Sequence, residues 1–412
     1  MIDSLRSLQE KLLLVLVFSL ILYGCNNSAE TIPTSTTESH TKWQSVLKNY
    51  TSTELENKIF NLETATLIDF DTLIKELKDI PAIYVGETYQ LEAHHKAQAE
   101  VLQAIYNQSP SVALGMEMFQ QPYQKYLDEY LTGKITERMM LEKTEYTKRW
   151  GFDWLMYRPL VNFARENGLK VIALNVPAEI SEKVILNGLK SLAAEERTTL
   201  PEEIDTTNTR HRAYIREVFD TNPMINQRLN FENFYEAQCV WEDGMADCIA
   251  RYLKENPGNR LVVTVGSGHI VYGFGIPQRA AKRSGKSYRS IMMLALDRIP
   301  TIISEATDGA NLPAHYFWFT RTPKRAMLGI ETDKPQEQDK GIIITRVIPG
   351  SPAEKAGLKQ NDIILKVNDT DINDITDLRL SLKDKKPGAE VTIRFQRDSE
   401  VLSTKARLAF LE

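Results

Sequence analysis

Four apolar, β-branched runs in this chain each end on a polar residue capable of chemistry. Ile83-Tyr84-Val85 leads into Gly86-Glu87-Thr88-Tyr89, and Val112-Ala113-Leu114 into Gly115-Met116-Glu117. Val171-Ile172-Ala173-Leu174 leads into Asn175, and Leu261-Val262-Val263-Thr264-Val265 into Gly266-Ser267-Gly268-His269. Short runs of this kind, separated by helical periodicity, read as parallel strands. In an open parallel sheet the ligand crevice lies beyond the carboxyl ends of the strands. Glu87, Glu117, Asn175 and His269 are therefore expected on one side of one sheet, with a helix carrying His94 and His95 directly after the first strand. The fold class that follows is α/β: a layered domain over residues 43–320, with a mainly parallel sheet and a helical insertion.

The insertion shows helical spacing over Pro122 to Arg149, Ser181 to Thr198 and Arg210 to Lys254, the last broken near Pro223. Phe234, Gln238, Trp241, Met245 and Ile249 form a stripe at i, i+4, i+7, i+11 and i+15, which predicts a core face with Gln238 a weak site candidate. Ile291 to Leu296 reads as a further strand. Chain length, 412 residues, implies more than one domain. A formal net charge of −5 gives no electrostatic reason to expect nucleic acid as a partner. Cys239 and Cys248 fall in one helical segment, where the rise separates their Cα atoms by ~13 Å. That is too far for a disulfide, so both are expected to be buried thiols.

The N-terminus has its own character. Leu12 to Tyr23 is apolar apart from Ser19, follows Arg6 and Lys11, and ends Leu22-Tyr23-Gly24-Cys25. The run is short for a bilayer span and suits a signal-peptide core. Its end resembles the lipobox of bacterial lipoproteins, which implies lipidation of Cys25 and, with Asn26 following, the outer membrane. An uncleaved anchor and an ordinary secretory signal are the alternatives. Residues 1–25 would then be a signal peptide and 26–42, rich in Ser and Thr, a flexible tether reaching ~20–25 Å.

A second domain is expected over residues 325–412. Gly341 to Val347 reads as a strand, and Ser351-Pro352-Ala353-Glu354 as a capped helix start. Strands follow at Ile363–Val367 and Val391–Gln396. The stretch "GSPAEKAGLKQNDIILKVND" closely resembles a bacterial PDZ domain of the HtrA protease type. The resemblance implies a small β-barrel-like fold that binds a protein C-terminus, with Leu328, Gly329 and Ile330 in the carboxylate-binding loop.

The first domain resembles the ChaN-type haem-binding lipoproteins. The resemblance rests on Gly86-Glu87-Thr88-Tyr89 with His94, His95 and Gln98, on Gly115-Met116-Glu117-Met118, on Tyr157-Arg158-Pro159-Leu160, and on Gly266-Ser267-Gly268-His269 with Tyr272-Gly273-Phe274-Gly275-Ile276-Pro277. That family is associated with iron uptake and haem binding at the outer membrane, and is distantly similar to Tiki-type metal-dependent proteases and erythromycin esterases. The resemblance implies haem as cofactor and a cofactor-binding shell of Tyr89, Glu87, His94, His95, Glu117 and His269. Where the family often has His, this chain has Tyr89; a phenolate is an accepted axial ligand to haem iron. Tyr157 and Tyr272 are rival ligands.

Bland roles remain open for each residue. Glu87 and Glu117 could cap helices or pair with Arg158. His95 sits on the stripe Leu91, His95, Gln98, Leu102, Ile105, while His94 is one step off it and could face solvent. His40, His211 and His315 are expected to be incidental. The alternative function is a metal-dependent hydrolase using Glu87, Glu117, His95 and His269 with zinc or manganese, its PDZ domain delivering C-terminal tails. Expected partners are a membrane through the lipid anchor and a protein C-terminus, with a second copy of the chain as a further option.

Overall fold

The computed structural model describes residues 42–89, 91–296, 299, 312–321, 326–333, 341–382 and 385–410. The expected lipobox at Cys25 and the tether before residue 42 lie outside the described residues. The chain divides into two compact units, Met1–Thr322 and Pro323–Glu412.

The first unit is built on an eight-stranded mixed sheet. Its strands are β1 (Ile59–Asn61), β2 (Thr66–Ile68), β3 (Ala82–Glu87), β4 (Val112–Gln120), β5 (Val171–Asn175), β6 (Arg260–Gly266), β7 (Tyr288–Ala295) and β8 (Tyr316–Thr320), in the order β2-β1-β8-β7-β3-β6-β4-β5. The six strands from β8 to β5 pair in parallel; β1 pairs antiparallel with both β8 and β2. Every residue of β3, β4, β5 and β6 is buried, as expected for parallel strands covered on both faces. The three short outer strands carry too few residues for a clear period, although Tyr316-Phe317-Trp318-Phe319 has strand composition.

The order sets the site. Because β6 is inserted between β3 and β4, their carboxyl ends lie side by side. Glu87 is directly opposite Gly266 on β6, and Met116 is opposite Thr264. The expected strand ending at Glu117 in fact continues to Gln120. Its pairing with β5 shifts register between Met116 and Gln120, an irregularity that re-aims the side chains within it. Glu117 sits there.

The helical insertion is more broken than its periodicity suggests. Pro122 to Arg149 becomes the helices Gln124–Leu131, Glu137–Lys143 and Tyr146–Arg149. Ser181 to Thr198 is interrupted after Asn187 by Gly188 at φ 81°. The break near Pro223 is present, between the helices Thr209–Asp220 and Phe231–Glu255. The latter is a 25-residue helix packed against the sheet; Phe234, Gln238, Trp241, Met245 and Ile249 are all buried.

The second unit is an antiparallel sheet of β9 (Ile330–Asp333), β10 (Ile342–Val347), β11 (Ile363–Val367), β12 (Thr370–Asp371), β13 (Glu390–Arg397) and β14 (Glu400–Arg407). It has its own core, including Ile344, Ile364, Val391, Ile393 and Phe395. Ser351 caps the helix Pro352–Lys355 by accepting the Glu354 N–H, while the Glu354 carboxylate accepts from Gly350. Among the described strands β9 is at a sheet edge, paired only to β10.

Candidate functional site

The β-strand ends bring two buried carboxylate–imidazole pairs to the same edge of the sheet. In the first, Glu87 Oε2 lies 3.1 Å from His95 Nδ1. The Tyr157 hydroxyl donates to Glu87 Oε1 at 2.9 Å, and His95 Nε2 donates to the Tyr89 carbonyl at 3.0 Å. Burial acts to lower the His95 pKa, but the Glu87 carboxylate outweighs it and the net shift is upward. The helix Glu92–Gln108 supplies His95 from its first turn, because its stripe of His95, Gln98, Leu102 and Ile105 faces the core.

In the second pair, Glu117 Oε2 accepts the Gly266 N–H at 2.7 Å and Oε1 lies 3.4 Å from His269 Nε2. The Tyr89 hydroxyl donates to Glu117 Oε1 at 3.1 Å. Behind His269 stands Glu242, whose Oε1 is 3.3 Å from His269 Nδ1 and whose Oε2 is 3.2 Å from His211 Nε2. Burial pushes the His269 pKa down, yet Glu117 and Glu242 flank it and raise it to about 10. Glu242 is fully buried; burial opposes its charge, but His211, His269 and Arg279 hold the carboxyl well below its usual range. Arg279 extends the chain by pairing with Asp243. A charged network thus runs from Tyr89 into the interior.

Glu87, His95, Glu117 and His269 converge as expected, and Asn175 joins them by donating to the Glu117 carbonyl at 3.1 Å. Neither glutamate pairs with Arg158, which bonds Glu137 instead. His94 does not face solvent: it is fully buried, its Nδ1 accepts the Thr88 N–H at 2.9 Å, and Nε2 is 2.9 Å from Thr320 Oγ1. Burial, with His95 adding to it, lowers its pKa to about 3, so it is a neutral bracket joining β3 to β8. Tyr157 is buried against Glu87, and Tyr272 packs on Tyr214 and Phe274. Gln98 holds the Val85 carbonyl.

The residues that sequence reasoning passed over are Glu242, Asp243, Arg279 and His211. His211, expected to be incidental, is buried in the network; His315, on the same expectation, accepts the Ser290 N–H within the sheet. The available signal was Gln238 and Glu242, a polar i, i+4 pair within a helix whose stripe is otherwise apolar. Such a pair must find partners when buried. Gln238 does, donating to Glu242 Oε1 at 2.8 Å.

Tyr89 links the network to a cleft of about 160 Å³ walled by Tyr89, Trp150, Phe152, Asn175, Val176 and Trp241, with Lys148, Arg149 and Glu179 also lining it. The Tyr89 ring stacks on Phe152 at 4.8 Å and meets Trp150 edge-on at 5.1 Å. Room for its hydroxyl comes from Gly266, where a Cβ would lie 2.1 Å from Tyr89 Oη. The glycine next to the His269 turn thus accommodates a tyrosine of the same site. Burial, followed by the charges of Glu117 and Glu87, raises the Tyr89 pKa well above its ordinary value, so the hydroxyl carries its proton in this structure. Among the described residues no group of three His, Cys, Asp or Glu side chains is arranged to hold a metal ion; the two pairs remain separate.

An α/β layered domain with a cleft at its strand ends and a second domain built on a small antiparallel sheet make up the described chain. Residues 73–280, just over half of the chain, match the family "Haem-binding uptake, Tiki superfamily, ChaN", and the chain belongs to that family. Residues 326–408 match the PDZ domain. Similar curated proteins include the chloroplastic Protein RETICULATA-RELATED 5 of Arabidopsis thaliana, 24% identical over 264 residues, 60% of this chain and 35% of that one. Another is the probable periplasmic serine endoprotease DegP-like of Chlamydia trachomatis, 27% identical over 144 residues, 35% of this chain and 25% of that one. The chain therefore spans about a third or less of either relative's length. A solved structure showing cofacial haem binding to ChaN of Campylobacter jejuni is 19% identical, with a TM-score of 0.48, covering 63% of this chain and 95% of that one.

Proposed function

We propose that the first domain binds haem in the cleft beside Tyr89, on a chain held at the bacterial outer membrane by lipidated Cys25, facing the periplasm or the cell surface. The observation that carries this reading is the wall of the cleft: the Tyr89 ring set among Trp150, Phe152 and Trp241, with the cations Lys148 and Arg149 lining it too. A flat, apolar ring with carboxylates at one edge suits such a wall, because aromatic faces and cations each meet a matching part of it. Family membership points the same way. At about 160 Å³ the cleft is below the roughly 300–1,000 Å³ of sites that engulf a small molecule. Such a cleft would hold part of a porphyrin rather than engulf it.

Tyr89 is the residue proposed to meet the iron, which would supply a Lewis-acidic centre for a phenol oxygen. Glu117 holds the hydroxyl proton in the ligand-free protein, and His269 and Glu242 support Glu117 from behind. Glu87 and His95 hold the Tyr89 backbone through its carbonyl. The hydrolase alternative draws no support from the donor arrangement, since the four candidate ligands form two separate pairs. The PDZ module is proposed to bind a protein C-terminus as an added strand on the free edge of β9, with the Leu328-Gly329-Ile330 loop taking the carboxylate. Titrating purified protein with haemin while recording the absorption spectrum, alongside elemental analysis, tests the haem reading. A bound haem band supports it; zinc or manganese with no haem binding overturns it.

A further inference from the structure

The mouth of the cleft holds an unusual ion pair. Arg149, at the end of the helix Tyr146–Arg149, has a side chain only 10% exposed, whereas its partner Glu179 is 62% exposed. The guanidinium is fixed on two sides, with Nε 2.9 Å from Glu145 Oε2 and Nη1 donating to Gln120 Oε1 at 2.9 Å. Its remaining fork grips Glu179 with both nitrogens, Nη1 at 3.1 Å and Nη2 at 2.8 Å. Tyr123 stacks beneath it, 4.7 Å from the ring centre. The cation is thus preorganised and largely desolvated, while the carboxylate comes from the solvent-facing first turn of the helix Ala178–Asn187. A planar guanidinium fork held this way suits any carboxylate of the same geometry. Glu179 can withdraw to water while Glu145, 2.9 Å from Nε, keeps the guanidinium paired.

Building on the haem-binding reading, we propose that Arg149 is the carboxylate-recognition residue of the cleft and that Glu179 is an internal carboxylate holding that position until an anionic ligand displaces it. The ligand class is an amphipathic ring bearing carboxylates, such as a porphyrin with free propionates. Lys148, whose side chain is 59% exposed and also lines the cleft, supplies a second positive charge. The aromatic wall takes the ring and the guanidinium reads its acidic edge.

The test compares iron(III) protoporphyrin IX with its dimethyl ester, using the full chain and reading tryptophan quenching and haem absorption. The free acid should bind wild type more tightly than the diester. Glu179→Gln should tighten the free acid several-fold and leave the diester unchanged, a gain that misfolding cannot produce. Arg149→Gln should weaken the free acid by roughly tenfold, the size of one charge-assisted contact, and bring acid and ester together. Equal affinities of acid and ester for wild type, or an unchanged free-acid affinity in Glu179→Gln, overturn the assignment of Arg149 while leaving haem binding standing. If neither porphyrin binds wild type, the haem reading itself falls and this assignment with it.

Discussion

The Tyr89 hydroxyl and the Glu117 carboxylate, 28 residues apart and borne on segments that β6 separates, meet at 3.1 Å inside the protein. This contact ties the cleft surface to a buried ionic network, and it makes both partners testable.

Replacing Tyr89 by Phe removes only the oxygen. Glu117 keeps the Gly266 N–H and His269, so the cost is expected at about 1–2 kcal/mol, with the fold intact by circular dichroism. The haemin absorption spectrum should change. Tyr157→Phe, buried against Glu87, should leave that spectrum as it was; an unaltered spectrum in Tyr89→Phe would rule out Tyr89 as ligand.

Gly266→Ala should destabilise the first domain by about 1–3 kcal/mol, because the added methyl group overpacks the site. Gly266 has φ −58°, so the cost is steric rather than conformational. In the Tyr89→Phe background, where the nearest clashing atom is gone, the same substitution should cost less. Strictly additive urea midpoints would contradict this coupling.

Two histidines set opposite pH limits. His269 is raised to about 10, so its ion pairs contribute fully below its unfolded pKa near 6.5 and are lost as pH climbs from there through about 10. His94 is lowered to about 3. The unfolded chain therefore binds its proton first, and stability falls as pH drops from about 6.5 toward 3, at a limiting slope of roughly 1.4 kcal/mol per pH unit. His94→Gln should flatten the acid limb, and His269→Gln the alkaline limb. Unfolding midpoints recorded from pH 4 to 10 would reveal any other pattern.

Gly329 has φ 83°, and its carbonyl accepts the Ile348 N–H at 3.0 Å. Gly329→Ala strains the loop by about 1 kcal/mol and should abolish binding of peptides with a free C-terminal carboxylate. Amidated peptides are the control: if they bind wild type equally well, the loop does not read the carboxylate.

Cys25→Ser should release the chain from the membrane fraction and abolish metabolic labelling with fatty acid. Retention of label in the variant would place the lipid elsewhere.

Local pattern alone determined much of this protein. Alternation of β-branched runs and helical stretches was enough for the α/β class, since each element must bury its own apolar face. Turn chemistry and a long matching motif were enough for the PDZ module. The same strand ends put Glu87, Glu117 and His269 on one side of one sheet. Tertiary structure decided what those residues do. The insertion of β6 between β3 and β4 made Glu117, Gly266 and Tyr89 neighbours, a strand order no periodicity encodes. Packing of the helix Phe231–Glu255 against the sheet carried Glu242 to His269 and His211, turning residues that look incidental in the chain into a buried network. His94, one step off its stripe, was drawn inward by Thr88 and Thr320, because β8 returns from more than two hundred residues away to sit in the same sheet. Charges in a low-dielectric interior take their roles from whichever partners the fold brings within a few ångströms, and sequence spacing carries no record of that distance.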